Sequence, residues 1–92
     1  MQIRWLEDAV NDLVSLRQYI ANNNPRAAHR IANKILSSVD HLSLHPGLGR
    51  SGRVPGTREL IIPSTPFLIP YRVAQDTVEI LRVLHVAMEW RV

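Results

Sequence analysis

Apolar positions recur at helical spacing along the first half of the chain and at strand spacing along the second. Ala9, Leu13, Leu16 and Ile20 fall on one stripe of a helix beginning near Glu7 or Asp8, whose carboxylates suit the positive end of a helix dipole. Asp12, Ser15, Arg17 and Gln18 take the rest of its surface. Asn22-Asn23-Asn24-Pro25 then breaks the chain: asparagine tolerates capping conformations and proline fits a first helical turn. A second helix puts Ala28, Ile31, Ile35, Val39 and Leu42 on one face and Arg26, Arg30, Asn33, Lys34, Ser37 and His41 on the other. His45-Pro46-Gly47 ends it, because a residue before proline avoids helical geometry.

Strand patterning takes over after a connector rich in glycine, proline and arginine. Residues 57–62 and 67–73 flank Pro63-Ser64-Thr65-Pro66, and Gln75-Asp76 forms a tight turn before a single long strand over 77–86. Residues 1–5 alternate weakly and add a further strand. The order is β-α-α-β-β-β: one α+β domain over residues 1–92, a helical hairpin packed on a mainly antiparallel sheet. Pro70 cannot donate to a ladder, so it demands a bulge or an edge within its strand.

Composition narrows the chemistry. The chain has 92 residues, 46% of them hydrophobic, and no cysteine, so neither disulfides nor thiolate metal clusters hold it together. Ten arginines and Lys34 face eight carboxylates, for a net charge of +3. The N-terminus carries Arg4, Glu7 and Asp8 where a signal peptide needs an apolar run, and nothing approaches the ~18 apolar residues of a membrane span. A cytoplasmic protein without membrane attachment is expected. The histidines lack metal-ligand spacing, and no nucleophile-elbow, P-loop or dinucleotide fingerprint occurs, so no metal and no cofactor is expected.

The arginines are the candidate chemistry. No carboxylate lies between Asp40 and Glu59, whereas Arg50, Arg53 and Arg58 all do. An open loop of this kind can hold phosphate or carboxylate through bidentate hydrogen bonds, or simply be a solvated surface. Pairing Ala74 with Thr77 sets Arg72 opposite Glu79, a structural ion pair, and Ile69 opposite Arg82. Pairing Ile62 with Phe67 sets Arg58 opposite Tyr71. Arg58, Tyr71 and Arg82 then share one side of the sheet as an anion-binding cluster, and a regular strand puts His85 on the other.

Five segments in order resemble the ParE/RelE superfamily of toxins from type II toxin–antitoxin modules. They are Trp5 with Ala9 and Asp12-Leu13; Asn24-Pro25-Arg26-Ala27-Ala28; His45-Pro46-Gly47-Leu48-Gly49-Arg50; Gly56-Thr57-Arg58-Glu59-Leu60; and Tyr71-Arg72-Val73 with Ile80-Leu81-Arg82-Val83-Leu84-His85. Pro70 departs from the aliphatic residue usual before Tyr-Arg-Val. The resemblance implies two antiparallel helices on an antiparallel sheet, and an antitoxin partner whose C-terminal segment wraps the toxin.

The superfamily divides by mechanism. RelE-like members cleave mRNA on the ribosome with basic residues and a tyrosine or histidine; ParE-like members inhibit DNA gyrase. Arginine stays protonated and is a poor proton shuttle, and the strand region has no lysine. The chain is therefore read as closer to ParE, a plasmid-stabilising toxin that binds gyrase and has no catalytic centre of its own. Arg50, Arg53, Arg58 and Arg82 would meet the target, and Arg17, Arg26, Arg30 and Lys34 the antitoxin. DNA would be reached only through the antitoxin, because +3 is modest for tight phosphate neutralisation. The alternative is a metal-independent endoribonuclease acting on mRNA at the ribosome through Arg58, Tyr71, Arg82 and His85. A third reading is a degenerate member that only binds its antitoxin.

Overall fold

A computed structural model describes residues 1–87. Residues 88–92 of the expected single domain lie outside the described part. β1 (Gln2–Trp5) leads into α1 (Glu7–Ala21) and α2 (Pro25–Asp40), followed by one 3-10 turn (His41–Ser43). The rest is sheet: β2 (Arg50–Ser51), β3 (Arg58–Ile61), β4 (Phe67–Ala74), β5 (Thr77–Ile80) and β6 (Leu84–His85).

The helical hairpin forms for the reasons written in its turn. Asn24 caps α2, its side chain accepting the Ala27 N–H at 3.1 Å, and Pro25 sits at the first helical position. Such a cap contributes about 1 kcal/mol. Ala9 on α1 and Ala28, Ala32, Ile35 and Val39 on α2 are buried. Leu13, Leu16, Ile20 and Ile31 pack at the margin of the same core.

The sheet runs β1-β5-β4-β3-β2, with β6 also on β4. β1 lies parallel to β5, Ile3 beside Val78, and the remaining pairs are antiparallel. Gln75 (φ 49°) and Asp76 (φ 61°) both adopt left-handed geometry, the two-residue turn whose twist suits a hairpin. The expected register holds here: Ala74 faces Thr77, Arg72 faces Glu79 and Arg58 faces Tyr71. The Arg72 Nε–Glu79 contact is 2.6 Å. Leu60, Ile62, Phe67, Ile69, Tyr71, Val78 and Ile80 form the sheet's half of the core.

Three expectations are corrected. The last strand is not one run over 77–86. Ile80 faces Tyr71 and Leu84 faces Leu68, so residues 81–83 stand against only 69 and 70, and a bulge separates β5 from β6. Pro70 explains its position. The β3–β4 ladder, bonded at Ile62–Phe67, uses alternate residues, so residue 70 turns its backbone towards β5 and β6. There the Pro70 carbonyl accepts the Leu81 N–H at 2.9 Å, but proline has no N–H to return, and the facing chain departs. As the second correction, Arg82 lies in this bulge and not opposite Ile69. As the third, the connector is not wholly irregular: β2 forms within it and pairs with β3.

Candidate functional site

The connector crosses the end of the sheet where β3 and β4 bring Arg58 and Tyr71 side by side. Tyr71 is fully buried, and its hydroxyl is engaged twice. It donates to the Pro46 carbonyl at 2.8 Å and accepts the Gly49 N–H at 2.8 Å. Burial pushes the Tyr71 pKa up, partly offset by the Gly49 N–H and the nearby Arg58 charge. Arg58 donates through Nη1 to the carbonyls of Gly47 (3.4 Å) and Gly49 (2.9 Å). The turn at 46–49 is thus tied to the sheet by two neighbouring side chains. Glycine is required at position 49, because a Cβ there would stand 2.6 Å from the tyrosine ring and 2.9 Å from the Glu59 carbonyl.

Glu59 anchors the rest of the connector. Its carboxylate, 2% exposed, accepts from Arg50 Nε and Nη2 at 3.2 and 3.0 Å and from the Arg53 N–H at 3.2 Å, with the Arg53 guanidinium 3.5 Å away. Beyond it, Val54-Pro55-Gly56-Thr57 closes a turn through Thr57 N–H to the Val54 carbonyl, with Gly56 at φ +79° where other residues are strained. The connector therefore does not present an uncompensated row of arginines. Its carboxylate comes from the strand that follows.

The remaining candidates lie apart. Arg82 turns towards α1, where it grips Asp12 through Nε (2.7 Å) and Nη2 (3.0 Å), and its pKa is raised by that bond. The same carboxylate accepts the Val83 N–H at 3.0 Å. Arg82 thus does not join Arg58 and Tyr71 in the expected cluster. His85 is exposed and packs edge-on against Phe67 with ring centroids 5.9 Å apart. The Ala87 N–H donates to its Nδ1 at 3.1 Å, which assigns the ring proton to Nε2 in the neutral form. Phe67, its strand partner, lies four residues along β4 from Tyr71, about 13 Å at strand rise. Arg26, Arg30 and Lys34 recur every fourth residue along α2, and Arg17 lies on α1. Among the described residues none of these four joins an ion pair.

Sequence reasoning missed the two carboxylates that organise this chemistry. Asp12 was visible only as part of the Asp12-Leu13 motif and as helix surface. Glu59 is the first carboxylate after a long basic stretch, and that placement was the available signal. Among the described residues no helix is long and apolar enough to cross a membrane.

Comparison with known proteins places this architecture. Residues 3–90 match the family described as ParE toxin of type II toxin–antitoxin system, parDE. The chain belongs to the ParE toxin family. It is 42% identical over 89 residues to the putative toxin Y4kP of Sinorhizobium fredii, covering 97% of this chain and 92% of that one. It is 34% identical over 86 residues to toxin RelE2 of Caulobacter vibrioides, covering 94% and 96%. Among solved structures, a chain of the chromosomal ParDE toxin–antitoxin system from P. aeruginosa superposes with a TM-score of 0.84 at 30% identity, covering 92% of this chain and 95% of that one. A chain of the RelBE2 toxin–antitoxin complex from Mycobacterium tuberculosis gives 0.66 at 27% identity, covering 91% and 95%. The two helices on a mostly antiparallel sheet are the arrangement of these toxins. The chain is a toxin of a type II toxin–antitoxin system, and its relatives carry both ParE and RelE names.

Proposed function

We propose that this ParE-family toxin acts by binding DNA gyrase, has no catalytic centre of its own, and is neutralised by a cognate antitoxin. The observation that carries this reading is the state of Tyr71. Metal-free RNA cleavage needs an acid and a base converging on one phosphate. Here the tyrosine hydroxyl is buried and committed to the connector. Arg82 is committed to Asp12, and His85 belongs to the far end of β4. What remains exposed around the connector is a fixed surface carrying Arg50, Arg58 and Leu48, suited to recognition. Purified toxin should inhibit gyrase supercoiling or accumulate cleaved DNA, and full supercoiling at saturating toxin would overturn the reading.

A second reading is favoured by the relatives named RelE and by the exposed His85. In it the toxin cuts mRNA at the ribosome, with Arg58 and Arg82 holding phosphate and His85 moving a proton. Toeprinting on translated mRNA tests it: new cleavage sites abolished by His85→Ala or Arg82→Ala would support it.

For the antitoxin, the candidate contacts are Arg26, Arg30 and Lys34 along α2 and Arg17 on α1, none of them in an ion pair among the described residues. An acidic, amphipathic segment that folds on binding is the complementary partner.

A further inference from the structure

The fold spends most of its arginines and leaves one group of cations unspent. Arg4, Arg50, Arg53, Arg72 and Arg82 lie against carboxylates, and Arg58 donates to the carbonyls of Gly47 and Gly49. Arg26, Arg30 and Lys34 of α2 join no ion pair or side-chain hydrogen bond among the described residues. The sequence explains why: no carboxylate occurs between Asp12 and Asp40, so α2 carries its three cations with no acid until its last residue. The net charge of +3 averages this helix with carboxylates that other arginines already hold, and understates the local charge.

The three cations form a stripe. At 3.6 residues per turn, a four-residue spacing drifts about 40° per step and rises about 6 Å, so Arg26, Arg30 and Lys34 span about 80° and about 12 Å. Exposed His29, Asn33 and Ser37 fill the same sector, opposite the buried Ala28, Ala32, Ile35 and Val39. No aliphatic or aromatic side chain stands among them, and Leu36, 41% exposed, lies on the flank beside His29. A tight protein interface is anchored by apolar or aromatic side chains in a desolvated centre, and this sector has none to offer. It also lacks the stacking aromatics that hold single strands. What it presents is a straight row of cations and hydrogen-bonding groups. One strand of duplex DNA carries a phosphate every ~3.4 Å of axis, so the stripe laid along it reaches roughly three to four phosphates.

We infer that the outward face of α2 binds the phosphate backbone of duplex DNA directly, through Arg26, Arg30 and Lys34, without reading sequence. Three cations give a weak contact on their own. Its use rests on the proposed function: a toxin held on gyrase meets the enzyme's DNA at high effective concentration, where a weak second contact adds to the first. An acidic antitoxin segment drawn to the same cations would compete with DNA for them.

The test titrates full-length toxin, free of antitoxin and gyrase, into fluorescein-labelled duplex DNA and into an RNA duplex of the same sequence, over a range of salt. Affinity for DNA should fall with a log–log slope of about −0.9 per phosphate, near −2.7 in all, which is about 40-fold between 50 and 200 mM salt. Arg26→Gln, Arg30→Gln and Lys34→Gln should each reduce the slope by about 1, and the triple variant should lose binding at least about tenfold. Absence of DNA binding at 50 mM salt, or a slope unchanged in the triple variant, would overturn the inference. So would an RNA duplex bound at least about tenfold more tightly than DNA. A triple variant that loses antitoxin affinity but keeps wild-type DNA affinity would assign the face to an acidic protein instead. If the triple variant fails to fold, amide chemical shifts of wild type decide: DNA must move residues 26–37 and leave β3 and β4 unmoved. A gyrase assay run alongside separates the two readings. DNA binding with undisturbed supercoiling would sink the gyrase target and keep this face, and inhibited gyrase without DNA binding would do the reverse.

Discussion

Two carboxylates, Glu59 and Asp12, each gather an arginine and a backbone N–H, yet they anchor the molecule on different scales. Glu59 is buried and closes a local loop, taking Arg50 nine positions before it and the Arg53 N–H six before it. Asp12 is partly exposed, at 20% of its side chain, and reaches Arg82 across 70 positions to hold α1 against the bulge that follows β5. The first shapes the surface offered to partners, and the second fixes the hairpin to the sheet. Arginine count alone hides this division. All three connector arginines and Arg82 are used inside the molecule, so the number of arginines overstates what is available to a ligand.

The comparison breaks most visibly at Glu59. Glu59→Ala removes the acceptor for Arg50 and for the Arg53 N–H at a buried position, and should cost about 2–4 kcal/mol in urea unfolding. Both arginines are about half exposed and can turn to water, which keeps the loss below that of a sealed ion pair. The variant should also speed amide exchange through 50–57 while leaving the helices protected. Asp12→Ala should cost less, about 1–3 kcal/mol, because its partner Arg82 is one-third exposed, but it strands the Val83 N–H. Exchange should then rise at 81–85 and not in the connector. Equal loosening of both regions by either variant would dissolve the distinction.

How much of this was legible in the sequence follows the same division. The Asn24-Pro25 cap, the apolar stripes and the Gln75-Asp76 turn are local signals, and each became the element it predicts. The trial register paired Arg58 with Tyr71 and Arg72 with Glu79 because alternation and turn length fix a hairpin. Arg82 failed for a non-local reason: the bulge opposite Pro70 shifted every later residue by one position, and a helical carboxylate 70 residues away captured the side chain. Pro70 points to a bulge or an edge within its own strand, whereas β4 runs unbroken from Phe67 to Ala74 and the extra residue falls in the facing chain, at 81–83. The basic segment of the connector contains no acid, and on sequence alone it reads as open. Its acid, Glu59, belongs to the next strand and faces back, which becomes visible only once β2 and β3 are paired.

Tyr71 offers a finer cut on the connector side. Tyr71→Phe keeps the ring that fills the core but leaves the Gly49 N–H and Pro46 carbonyl without their partner, at a cost of about 1–2 kcal/mol. The pKa gives an independent signature. The folded protein raises it above the ordinary value of 10.0, so between the unfolded and folded values the folded state binds more protons. The contribution is complete below about pH 10 and is lost as pH rises through the folded pKa. Wild type should therefore lose stability on the alkaline side more steeply than Tyr71→Phe, read from urea midpoints between roughly pH 9 and 11. Parallel slopes would mean that the hydroxyl is not buried as described.

The smallest effect should come from the ion pair that the sequence identified most directly. Arg72 Nε lies 2.6 Å from Glu79, the shortest of the cross-strand contacts, but half of the arginine side chain is exposed. Water screens that pair and already solvates much of the guanidinium, and Arg4 offers Glu79 a second cation at 3.8 Å. Arg72→Ala should cost at most about 0.5 kcal/mol and leave exchange in the connector and bulge unchanged. A loss comparable with that of Asp12→Ala would mean that distance, not burial and backbone capture, ranks the ion pairs of this protein. The contrast predicts the reverse order, since Asp12 and Glu59 each accept from a backbone N–H as well as from side chains, whereas Glu79 accepts only from side chains.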